Sequence, residues 1–185
     1  PINKIAFNKL KVILKNKNDF ELLKELVLPY QKNQPDNMMA RIDLIEVYLW
    51  SKDPQWETMA DEILNNNISN DYIIKLLLKK ILEHDFVDYA NEIIRLKKKE
   101  GFYSLEMGNY YMSRMDYENA IKKLLIYLEK NPTKYNKISE KIIAIPEYEE
   151  VQKNIHSMLK KANKKTSNLL LSDLAFKAND FENSY

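Results

Sequence analysis

Residues 101–132 read GFYSLEMGNYYMSRMDYENAIKKLLIYLEKNP, and they contain the clearest structural pattern in the chain. Apolar side chains recur at helical spacing in its first half and again in its second half. Asp116 lies between the halves, and aspartate is a favoured residue at the start of a helix. Pro132 ends the second half because proline lacks the N–H group that would continue a helix. The stretch therefore predicts two short helices joined by a tight turn.

The same signature recurs along the chain at nearly regular intervals. An aspartate followed closely by an aromatic residue occurs at Asp19-Phe20, Asp53-Pro54-Gln55-Trp56, Asp85-Phe86, Asp116-Tyr117 and Asp180-Phe181, with the degenerate Pro146-Glu147-Tyr148 between the last two. Every step from one aromatic to the next falls in the thirties. A period in the low thirties is typical of solenoids of helical hairpins, in which each hairpin buries its apolar face against its neighbours.

This period predicts an all-α fold of about six antiparallel hairpins in one domain, residues 1–185, with the last hairpin cut short. The first helices are predicted at about 2–15, 36–50, 69–83, 101–114, 133–145 and 165–178. The second helices are predicted at about 19–32, 54–65, 85–98, 116–130, 146–162 and 180–185. Asp19, Ser69 and Asp180 are the expected N-caps of their helices. Pro29 falls inside a second helix and should bend or end it.

The stretch 101–132 resembles the tetratricopeptide repeat family. That family's pattern is an aromatic-x2-Leu-Gly-x2-Tyr, then Ala-x3-Phe, then Pro. This chain has Ser104-x2-Met107-Gly108-x2-Tyr111, then Ala120-x3-Leu124, then Pro132. The resemblance implies a right-handed superhelix in which the small residues Gly108 and Ala120 let two helices cross closely. Leu23 and Val151 occupy the small position in the first and fifth hairpins, so those hairpins should splay more.

Composition excludes several classes of protein. Hydrophobic residues make up 45% of the chain, which is enough for a continuous core and argues against disorder. The formal net charge of only +2 argues against nucleic acid as the main ligand. There is no cysteine, and no apolar run approaches the length of a membrane-spanning helix. No signal peptide is visible, but the chain begins at Pro1, so the compartment stays open.

The residues that usually carry catalysis or bind metals are scattered. His84 and His156 lie on different hairpins, and neither has a second histidine four residues away. Two glycines in the whole chain cannot build a phosphate-binding loop. We therefore expect no catalytic residue, no metal and no cofactor. The clustered aromatics Tyr48, Trp50 and Trp56 are expected to pack in the core.

In tetratricopeptide proteins the first helices line a concave groove, through positions 2, 5, 9 and 12 of each repeat. The resemblance therefore predicts a groove lined by Tyr72, Lys75, Lys79, Phe102, Leu105, Asn109 and Met112. Three of these, Phe102, Leu105 and Met112, should form a partly exposed apolar centre. A register shift of one residue would instead return Leu105 to the core.

These features favour a non-enzymatic scaffold that binds a peptide or a helix of a protein partner in its groove. The alternative is a regulatory or substrate-presenting arm of a larger enzyme. Single-stranded RNA binding is disfavoured, because the groove residues do not recur from repeat to repeat. Self-association through the incomplete last hairpin, residues 180–185, is also expected.

Overall fold

The computed structural model of the protein describes residues 4–99, 101–162 and 164–178. All regular structure in these ranges is helical, and they contain no strand. The helices are α1 Lys4–Asn16, α2 Phe20–Lys32, α3 Met38–Trp50, α4 Gln55–Asn67, α5 Asp71–Glu83, α6 Val87–Lys97, α7 Ser104–Ser113, α8 Tyr117–Lys130, α9 Tyr135–Ile143, α10 Glu149–Ala162 and α11 Lys165–Lys177. A short 3-10 turn, Pro132–Lys134, precedes α9.

The all-helical prediction is confirmed, and each of these helices was expected from the sequence with bounds that differ by at most three residues. Odd-numbered helices correspond to the predicted first helices of hairpins and even-numbered helices to the predicted second helices. The predicted helix at 180–185, its cap Asp180 and the incomplete last hairpin lie outside the described residues.

Four hairpins reverse direction through the same backbone turn. The central residue of the turn has a positive φ. In the four hairpins, in chain order, this residue is Asn18, Lys52, Asp85 and Met115. The next residue donates its N–H to the carbonyl five residues back, at N···O distances of 2.8–3.3 Å. This is the Schellman arrangement, which satisfies carbonyl groups that the end of a helix leaves without partners. The turn thus recurs in the backbone with a period in the low thirties, similar to that of the sequence signature.

The aspartates of the signature act at these turns. Asp19 accepts a hydrogen bond from Leu22 N at 3.2 Å, and Asp116 accepts one from Asn119 N at 3.2 Å. Both are therefore N-caps, as predicted. Asp85 differs, because it is itself the positive-φ residue of its turn.

One local expectation is wrong. Asn70, and not Ser69, caps α5 by accepting from Ile73 N at 3.3 Å. Helix α2 continues through Pro29 to Lys32, as its predicted bounds require, so the proline does not end it.

The chain divides into two compact units, residues 1–98 and 99–185. In the first unit, α1–α6, the central helix α3 packs against α2, α4 and α5 and has 8 buried residues out of 13. In the second unit, α7–α11, one hydrophobic cluster runs through the helices α8–α11 and includes Leu124, Ile142, Leu159 and Leu170.

Small residues are buried in three of the second helices. Ala60, Ala90 and Ala120 are fully buried. A Cβ atom added to Gly108 would lie 2.6 Å from Leu124 Cδ2 and 3.4 Å from the carbonyl oxygen of Ala120. The expected close crossing of α7 and α8 is therefore confirmed. In the other two hairpins, Leu23 is fully buried and Val151 is half-buried.

The close approach of α7 and α8 at Gly108 can be tested by substitution. Gly108→Ala would gain up to about 1 kcal/mol of helix propensity at an exposed helical site. Here we expect it to lose about 1–3 kcal/mol of unfolding free energy, because the new methyl group overlaps Leu124. Chemical denaturation of the purified protein measures this difference.

The control is the same substitution in a Leu124→Ala background, where the overlapping side chain is gone. There Gly108→Ala should be neutral or stabilising, so the double-mutant cycle should show strong coupling. Equal effects in the two backgrounds would contradict the close crossing.

Candidate functional site

Three of the predicted groove residues lie on α5 in the first unit. Tyr72, Lys75 and Lys79 are all exposed and follow one another at spacings of three and four residues, so they form one stripe of the helix. The Tyr72 side chain is 64% exposed, which is high for a large apolar residue. Lys79 Nζ lies 3.9 Å from Glu83, the acidic residue one turn further on.

The other four predicted residues lie in the second unit, and the structure corrects part of the prediction. Phe102 is only 6% exposed, so the expectation that it is partly accessible is wrong. Leu105 and Met112 are half-buried and pack against the hydrophobic cluster of the unit. Asn109 is exposed. Of the expected apolar centre, Phe102 is therefore buried, whereas Leu105 and Met112 keep the partial exposure that was expected of all three.

A row of exposed apolar residues does exist in the first unit. Ile5, Met39 and Tyr72 occupy equivalent positions, since each precedes the positive-φ residue of its own hairpin by the same number of positions. Their side chains are 68%, 43% and 64% exposed. We call these three residues the apolar row. It places one apolar side chain near the start of each of α1, α3 and α5.

A charged group connects the same three helices further along. Glu46 of α3 is 5% exposed and accepts hydrogen bonds from Lys11 of α1 at 3.2 Å and from Lys80 of α5 at 2.6 Å. Lys11 also contacts Asp43. We call Lys11, Glu46 and Lys80 the charged rung. One buried carboxylate thereby joins all three first helices of the unit.

A second connection lies four residues further along each helix. The ammonium group of Lys15 lies 4.3 Å from the ring centroid of Trp50, and the Trp50 ring lies 6.4 Å from that of His84. We call these three residues the aromatic rung. Because both rungs advance in the same direction on every helix, α1, α3 and α5 run parallel and in register.

The environment of the rungs changes the acidity of two groups. Burial alone would lower the pKa of Lys80, but its hydrogen bond with Glu46 and the charge of that carboxylate raise it overall. Burial lowers the pKa of His84, and the positive charge of Lys15 acts in the same direction. At neutral pH we therefore expect Lys80 to be charged and His84 to be neutral.

The second unit has a polar link between its own first helices. Asp173 of α11 accepts hydrogen bonds from Tyr135 at 2.7 Å and from Ser139, both on α9. Burial and the hydrogen bond to Asp173 raise the pKa of Tyr135. Asp173 therefore joins α9 to α11.

Sequence reasoning missed the rungs. The sequence predicts no catalytic or metal-binding role for His84 and gives no sign of its contact with Trp50. Trp50 was expected in the core, but it is only half-buried. The available signal was their spacing, since each rung has one member in each of three successive first helices, at intervals close to the period of the aromatic signature. Tyr48 and Trp56 do pack in the core as expected, and the Trp56 ring packs at a tilted angle against Phe86 with ring centroids 4.6 Å apart.

Other kinds of site find no support in the part of the chain that the structure describes. Residues 4–99, 101–162 and 164–178 contain no group of three or more His, Cys, Asp or Glu side chains placed to hold a metal ion. Within the same ranges no helix has both the length and the apolar character needed to cross a membrane.

Comparison with known proteins adds no relative. No family model matches the chain, and no curated protein and no solved structure matches it.

The charged rung can be tested by removing its central charge. Glu46→Gln keeps the shape of the side chain but leaves the two ammonium groups without a buried carboxylate. We expect a loss of about 1–3 kcal/mol in unfolding free energy, below the full cost of breaking a buried ion pair because both lysines have second carboxylates nearby. Urea denaturation followed by circular dichroism measures it.

Glu92→Gln is the matched control. Glu92 pairs with Arg95 at 3.4 Å on the surface of α6, where both side chains are more than half exposed. Its loss should change stability by less than about 0.5 kcal/mol. Similar losses in the two variants would show that Glu46 does not hold the three helices together.

Proposed function

We propose that the chain is a non-enzymatic interaction module of the tetratricopeptide type, a right-handed solenoid whose first helices bind a peptide or helix of a protein partner. The repeated turn and the small residues at the helix crossings support the repeat architecture. Side chains in such an array contact only the neighbouring hairpins, which leaves the faces of the first helices available to ligands.

The observation that carries the proposal is the apolar row. Ile5, Met39 and Tyr72 are exposed although each is apolar, and they belong to three parallel helices. Helix α3 packs against α5, and Lys11 of α1 reaches Glu46 of α3, so the row extends over three successive first helices. Exposed apolar residues arranged in this way are typical of protein-binding surfaces.

The rungs explain why the ligand would bind at the row. Further along the same helices, the charged and aromatic rungs fill the face with side chains that already contact one another. A ligand there would have to break these contacts. At the apolar row it would instead bury side chains that are now in water, and each fully buried one contributes about 1.5–3 kcal/mol.

The proposal can be tested with a phage-displayed library of random peptides. Peptides selected on the wild-type protein should bind Tyr72→Ser at least tenfold more weakly, since burial of this ring is worth more than about 1.4 kcal/mol. Fluorescence anisotropy with the selected peptides measures the dissociation constants. Circular dichroism should show unchanged helicity, because the ring is exposed.

Leu96→Ser, on the second helix α6, is the control. Leu96 is 48% exposed but does not belong to a first helix, so its loss should leave peptide affinity unchanged. Selection of no peptide, or equal effects of the two substitutions, would refute binding at the apolar row.

A further inference from the structure

In the first unit, the first helices, which we call the basic layer, and the second helices, which we call the acidic layer, carry opposite net charge. The first helices α1, α3 and α5 contain eight lysine or arginine residues and four aspartate or glutamate residues, a net charge of +4. The second helices α2, α4 and α6 contain four basic and seven acidic residues, a net charge of −3. In this unit the first helices are therefore net basic and the second helices net acidic, although the formal net charge of the whole chain is only +2.

The acidic residues of the basic layer are largely occupied. Glu46 contacts Lys11 and Lys80, and Asp43 contacts Lys11. Asp71, at the start of α5, lies 2.6 Å from Lys97 of α6. Three of the four carboxylates of this layer thus contact lysines of the same unit, and these contacts occupy Lys11 and Lys80. The fourth, Glu83, lies within 4 Å of Lys79 and Lys80.

Exposed lysines stand beside the apolar row. Lys75 and Lys79 continue the stripe of α5 that begins with Tyr72, about one and two helical turns further along. Lys79 Nζ lies 3.9 Å from a carboxylate oxygen of Glu83, which is longer than a hydrogen bond. An apolar anchor and two ammonium groups therefore lie together on one exposed stripe.

From this arrangement we propose that the partner of the apolar row is an acidic segment of protein, with apolar side chains that contact Ile5, Met39 and Tyr72 and carboxylates that contact Lys75 and Lys79. This inference rests on the proposed function and adds the chemistry of the ligand. The apolar row favours a peptide over a nucleic acid, because bases bind by stacking on aromatic rings and two members of the row, Ile5 and Met39, are aliphatic.

The test uses a peptide selected from the library, remade with Glu, Gln or Lys on either side of its apolar anchors. The Glu form should bind about three- to tenfold more tightly than the Gln form, and the Lys form should bind most weakly. Added salt should reduce these differences, because it screens exposed charges. Anisotropy titrations at two ionic strengths measure both effects.

Charge reversal on the protein should reverse the preference. The Lys75→Glu/Lys79→Glu variant should bind the Lys form more tightly than the Glu form. The matched control, Arg95→Glu/Lys98→Glu, changes the same number of charges at exposed positions of α6 and its C-terminus and should keep the preference for Glu.

The outcomes distinguish the acidic ligand from the proposed peptide binding at the apolar row. Equal affinity for the three peptide forms, with binding still weakened by Tyr72→Ser, would overturn the acidic ligand and leave the binding surface in place. Binding that Tyr72→Ser does not weaken would overturn both. Binding of single-stranded DNA or phosphatidylserine vesicles that Lys75→Glu/Lys79→Glu abolishes and Tyr72→Ser leaves intact would assign the lysines to phosphate instead.

Discussion

The chain must reverse direction between two helices without using glycine. Four hairpins meet it with a Schellman turn whose central residue is Asn18, Lys52, Asp85 or Met115. A left-handed conformation costs a residue with a side chain about 1–2 kcal/mol. The hydrogen bond across the turn and the packing of the two helices must offset this cost at every repeat. The turn also sets the register from which the helix crossings and the exposed face follow.

Much of the fold could be predicted because the decisive signals are local. Helix ends follow from aspartate caps and from Pro132, and the crossing follows from Gly108 and Ala120, which are small where two backbones approach. The misplaced cap at Ser69 has a local cause as well. Asn70 is also a good cap residue, and the choice between neighbouring cap residues depends on where the preceding turn ends.

The candidate site was harder to predict, because exposure depends on how neighbouring helices pack. The repeat register placed Tyr72 and Phe102 at equivalent positions, yet the first is exposed and the second is buried. Phe102 lies in the segment before α7, between the positive-φ residues Gly101 and Tyr103, so its side chain does not follow the direction of a helical residue. Glu46 was missed for the opposite reason, since its partners Lys11 and Lys80 are distant in sequence.

The repeated turn can be measured directly by nuclear magnetic resonance of the labelled protein. A residue with positive φ gives a strong nuclear Overhauser effect between its own amide and Hα protons. We predict this signal at Asn18, Lys52, Asp85 and Met115, with helical chemical shifts in the segments on both sides. A weak signal at these four residues would mean negative φ angles, as in a helix or an extended segment, and would contradict the shared turn. The four hairpins would then lack a common register.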